Sequence, residues 1–172
     1  MSMENEIVNR VAQSPLVTFD LEKLHVPGER VLIDIKSQLF QEMILKEKDF
    51  RDHIKATDWS AYKNKLVAIT CSADAIVPTW AFMLLSIALE PHASKIVFGN
   101  LDDLENQLFR EQLDKIDFEL YRDAKVVIKG CSKINVPVAV YVEATNRLRP
   151  VSSSIMFGEP CSTVPLYKKP KQ

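Results

Sequence analysis

Glycine is scarce in this chain, 4 of 172 residues. Neither Gly-x-Gly-x-x-Gly nor Gly-x-x-x-x-Gly-Lys occurs, so the usual backbone cradles for dinucleotides and nucleotide phosphates are absent. An excess of one charge is also missing: 22 Lys and Arg stand against 23 Asp and Glu. That balance excludes an electrostatic case for nucleic acid or an anionic membrane surface. The longest apolar run, Ala75 to Leu89, is broken by Pro78 and falls short of the roughly 20 residues a membrane span needs. The opening Met-Ser-Met-Glu-Asn-Glu lacks the basic and apolar regions of a signal peptide. The expectation is a cytoplasmic protein, with no nucleic-acid or membrane partner and with thiols kept reduced. An odd number of cysteines, 3, argues against a disulfide framework. His25, His53 and His92 show no ligand spacing with one another and read as a turn residue, a solvated helix face and a helix end.

What the chain does have is a recurring short segment. Cys71-Ser72-Ala73-Asp74-Ala75-Ile76-Val77-Pro78 returns as Cys131-Ser132-Lys133-Ile134-Asn135-Val136-Pro137 and as Cys161-Ser162-Thr163-Val164-Pro165. All three cysteines open such a segment. With serine at its observed frequency, three Cys-Ser pairs arise by chance on the order of once in three thousand.

Around these segments strands alternate with helices. Val17, Phe19 and Leu21 suit a short strand. Val31, Ile33 and Ile35 fit a strand, while Leu32, Ile35, Leu39 and Met43 fit a helical stripe. Residues 38–55 favour helix. Residues 65–70, 95–98, 124–129 and 153–157 read as strands. Helices are expected from about Pro78, after Asn100 as a cap, and from Pro137. The helix after Pro78 is apolar nearly all round, which places it inside or at a subunit interface. The pattern predicts one α/β domain over 1–172, in three layers with a mainly parallel sheet. The earlier strands are candidates for an antiparallel edge. Residues 1–14 form a loosely attached lead-in and 168–172 a basic tail.

Each cysteine follows the carboxyl end of a predicted strand, and in a parallel sheet those ends share one edge, where α/β proteins bind ligands. Three thiolates in one place call for a cation. The leading expectation is therefore a metal site of Cys71, Cys131 and Cys161, holding zinc or an iron–sulfur cluster. Asp74 or Glu159 would complete it, and Ser72, Ser132 and Ser162 would donate hydrogen bonds to sulfur. Three competing readings stand beside it. One is a reactive thiolate, Cys71 or Cys131, acting as an enzyme or sulfur carrier with Asp74 as acid or base. Another is a non-catalytic protein that dimerises through residues 79–89. The third is plain packing of small cysteines at strand ends.

The segments TCSADAIVPTWAFMLLSIALEP, IVFGNLDDLE, VIKGCS and IMFGEPCSTVPLYK resemble an uncharacterised domain family of the Bacteroidetes group of bacteria. The similarity runs from about Gly28 to Lys168. Genes of that family tend to lie beside those of the sulfur-mobilisation iron–sulfur assembly system. The resemblance thus implies iron–sulfur assembly proteins as partners; it supplies no catalytic residues.

Overall fold

The computed structural model of the chain describes residues 16–130 and 133–170. Their order is β1 (Leu16–Asp20), β2 (Arg30–Asp34), α1 (Glu47–Ala56), β3 (Leu66–Thr70), α2 (Thr79–Leu89), β4 (Lys95–Phe98), α3 (Leu101–Leu113), β5 (Lys125–Lys129), α4 (Val138–Leu148), β6 (Ser154–Glu159) and β7 (Ser162–Lys168). The mixed α/β class and the mainly parallel pairing match the expectation. The strands are shared between two sheets, β2-β3-β4 and β1-β5-β6-β7. All neighbours are parallel except β7, which runs antiparallel to β6. The antiparallel edge therefore comes from the last strand and not from the first two. Pro165 obscures it in the sequence, because a proline within a run is compatible with a strand only at a sheet edge.

Local chemistry explains the elements. Leu-Val-Ala-Ile-Thr in β3 and Lys-Val-Val-Ile-Lys in β5 are rich in β-branched residues and lie in the middle of their sheets, with both faces covered. Residues 38–55 do not form one helix. Gln41 and Glu42 take φ of 52° and 57°, which breaks the chain into a turn closed by the Phe40–Ile44 bridge. Helix α1 begins only at Glu47, with Glu47 and Asp49 favourably placed in its first turn. Asn100 caps α3 as expected: its Oδ1 accepts from the Asp102 and Asp103 N–H groups at 2.8 and 3.0 Å, while Asp103 accepts from Asn100 N–H at 2.8 Å.

The chain separates into a continuous unit, Val26–Leu108, and a split unit made of the chain up to His25 together with Phe109 onward. In the continuous unit one face of β3 packs Val67 and Ile69 against Phe50, Ala81, Leu85 and Leu89. The other face packs Leu66 and Ala68 against Leu104 and Leu108 of α3. In the split unit Val126, Ile128 and Ile155 meet Phe19, Phe109, Leu113, Val140, Ala144 and Leu148. Each fully buried large side chain contributes about 1.5–3 kcal/mol.

The two units repeat each other residue by residue, at a spacing of 59. Asp58 and Asp117 each accept the N–H two residues on and start a 3-10 turn. Asn64 and Asp123 are both left-handed, with φ of 63° and 56°. They donate their N–H groups to His92 and Val151 O. Pro78 and Pro137 both occupy the N-cap. Leu66 pairs with Lys95 just as Lys125 pairs with Ser154. Gly99 and Gly158 hold φ of 133° and 121° at the ends of β4 and β6, a region that favours glycine. The first strands repeat at a spacing of 14: Asp20 and Asp34 each end a strand and cap a 3-10 turn. No helix among the described residues is long and apolar enough to cross a membrane.

Candidate docking surface

At the carboxyl end of the continuous sheet the Asp34 carboxylate accepts N–H groups from Lys36 at 2.9 Å and Ser72 at 3.1 Å. Burial pushes its pKa up. The Ser72 hydroxyl, those two N–H groups and the Lys36 charge outweigh this and hold it below the usual value. Asp34 is thus occupied in tying β2 to the loop after β3. The equivalent Asp20 accepts from Glu22 N–H at 3.2 Å and lies 3.9 Å from Lys129 Nζ. Neither aspartate stood out in the sequence analysis. The signal was an aspartate at the end of an apolar alternating run.

The sequence-predicted residues take different places. Cys71 is half-buried and packs on the core around Val67 and Leu85. Ser72 is exposed and bound to Asp34 as above. Asp74 is exposed, and the cap position of α2 is Pro78, so Asp74 does not cap the helix. Glu159 ends β6, exposed, with Oε1 3.6 Å from Lys129 Nζ. Cys161 is exposed in the turn between β6 and β7, and Ser162 opens β7 opposite Glu159. Cys131 and Ser132 lie outside the described residues.

The reading of the chain as a metal- or iron–sulfur-binding accessory protein is corrected by this geometry. Among the described residues, Cys71, Cys161, Asp74 and Glu159 included, no three His, Cys, Asp or Glu side chains come together to hold a metal. The physical reason is that the first and third Cys-Ser segments are not structural equivalents. The first leads into a helix and the third into a strand. Cys71 and Cys131 are 60 residues apart, whereas the fold repeats every 59, so Gly130 stands where Cys71 stands.

The continuous unit instead presents an open apolar groove of about 730 Å³ between α2 and β4, within the range of natural ligand sites. Phe82, Met83, Ile87, Ile96 and Phe98 line it together with Val77. Met83, Ile87 and Phe98 are 61%, 69% and 66% exposed. No charged residue occurs from Thr79 to Leu89. The Phe82 and Phe98 rings meet edge-on at 4.9 Å and 74°, which fixes the floor of the groove.

In the split unit the strand edge at the same place is covered, while the equivalent helix positions Val142 and Asn146 stay exposed. Tyr141 and Phe157, the equivalents of Phe82 and Phe98, meet edge-on at 5.8 Å and 80°. There β6 is flanked by β7. Its counterpart β4 ends its sheet, and among the described residues no strand pairs with its outer side. The groove and the open edge thus lie together. The expectation that the helix after Pro78 is internal or interfacial divides accordingly: Ala81, Leu85 and Leu89 are buried, while Met83 and Ile87 face solvent.

No curated protein and no solved structure matches the chain. One family model does, over residues 5–169, and it carries the description "Protein of unknown function (DUF2480)". With nearly its whole length matched, the chain belongs to the DUF2480 family.

Proposed function

We propose that this protein is a protein-docking module whose working surface is the α2–β4 face of the continuous unit. The observation behind this reading is the coincidence of an uncharged groove with a strand edge that no described strand pairs. Natural sheets blunt exposed edges with charges, prolines or bulges. The outer strand β7 has such devices: Pro165, Lys168 at its end, and a register shift opposite Ile155 and Met156. Strand β4 has neither proline nor bulge, and Lys95 at its start is its one charge. A large exposed apolar patch beside such an edge is a signature of an interaction site. The carboxylates at the strand ends, by contrast, are engaged in capping.

Photo-crosslinking in cells tests the reading. A benzoylphenylalanine at Met83 is expected to give adducts of discrete mass. The same group at Lys48, exposed on α1, is expected to give none. Equal labelling at both positions, or none at either, contradicts it.

A further inference from the structure

We infer that the occupant of this surface is a second copy of the chain, joined edge to edge through β4 about a twofold axis centred on Val97. The inference rests on the docking reading above and adds the partner and the register. Gly99 N–H donates to Ile69 O. Alternate residues of a parallel strand turn their backbone groups to alternate sides, so Ile96 and Phe98 direct theirs away from β3. Two β4 strands meeting antiparallel can therefore exchange hydrogen bonds between Ile96 of one and Phe98 of the other, which leaves the two Val97 residues face to face. Only registers of this parity keep both α2 helices on the same side of the joined sheet, because directly opposed residues point to the same face. The two three-stranded sheets then become one, and Met83 and Ile87 of each copy lie next to the seam.

Charge selects a copy of itself over a charged partner. Helix α2 is uncharged throughout, so it offers a charged partner nothing to pair with and does not repel its own image. Lys95, the charge on β4, falls opposite Gly99 of the other copy and not opposite the second Lys95, which avoids a like-charge pair. The split unit shows that this architecture accepts an antiparallel strand on the equivalent edge, since β7 occupies it. Such a contact is isologous and closes at two copies.

Sedimentation equilibrium of the full chain is expected to give twice the monomer mass. Ile87→Glu and Phe98→Glu, both at exposed positions, are expected to weaken the dimer by about tenfold or more each while far-UV circular dichroism stays unchanged. The register has its own test in a background with the native cysteines replaced by serine. There Val97→Cys is expected to form an interchain disulfide on mild oxidation, since facing residues of a non-bonded pair have suitable spacing. Ile96→Cys is expected not to. A chain that is monomeric throughout overturns the inference, and so does a dimer unaffected by both glutamate variants. If the Met83 crosslink then shows the mass of a different protein, the docking reading survives and self-association fails; if it shows none, both fail.

Discussion

Two adjacent serines are expected to respond to the same substitution with opposite sign. Ser152 is 2% exposed, and its hydroxyl has no hydrogen-bond partner among the described residues. Its equivalent in the continuous unit is Ala93, whose N–H makes the same bond to a leucine carbonyl that Ser152 N–H makes to Leu148 O. The backbone there needs no hydroxyl. Burying an unpaired hydroxyl costs about 1–3 kcal/mol, and removing one small oxygen forfeits few contacts. Ser152→Ala is therefore expected to stabilise by about 1 kcal/mol, or roughly 2–4 °C in Tm for a chain of this size. Ser153 differs: its hydroxyl donates to Ala124 O at 3.0 Å. That carbonyl also accepts the Ser153 N–H at 2.9 Å, so it stays bonded in Ser153→Ala. The loss should then sit at the low end, about 0.5–1 kcal/mol. Thermal melts of the three proteins by circular dichroism decide it. A destabilised Ser152→Ala, or shifts of the same sign, would refute the use of the repeat to locate a misplaced polar group.

The remaining predictions concern the continuous unit and the thiols. Leu89 is fully buried, and Leu89→Ala is expected to cost about 2–5 kcal/mol. Both tryptophans, Trp59 and Trp80, pack in or against that core, so their fluorescence should follow the loss; a change under about 1 kcal/mol opposes this core assignment. Asp34 has a lowered pKa, so its contribution is fully present above the ordinary value of 3.8 and is lost as pH falls through the folded value. Asp34→Asn is expected to flatten the acid limb of stability monitored by fluorescence, and an unchanged acid limb counts against the capping role. Cys161→Ser, at an exposed turn, is expected to shift stability by less than about 0.5 kcal/mol. A large loss, or metal retained by the wild type and released by this variant, would restore the thiol site that the geometry removes.

Much of the fold was legible because its signals are local. Central strands of β-branched residues, Asn100 as a cap and the prolines ahead of α2 and α4 all appear where composition places them. Strand β7 was hidden by Pro165, and the false extension of α1 came from an apolar stripe that ignored the turn at Gln41 and Glu42. The duplication was half visible. Cysteine and serine drew attention to Cys71 and Cys131, but the structurally equivalent pairs are Tyr62 with Tyr121, Pro78 with Pro137 and Phe98 with Phe157. Rare residues attract notice, whereas a fold repeats its turns, caps and core positions. The docking surface was legible as an apolar helix. That only half of it faces solvent, beside the outer strand of its sheet, depends on pairing that no local pattern encodes.

Amide hydrogen exchange at Ile96 and Phe98, followed at high and low protein concentration, tests self-association through β4 most directly. If the outer side of β4 is covered by another copy, both amides exchange slowly in concentrated solution and quickly on dilution, while Val67 in β3 is protected in both. Fast exchange of Ile96 and Phe98 at every concentration would contradict it.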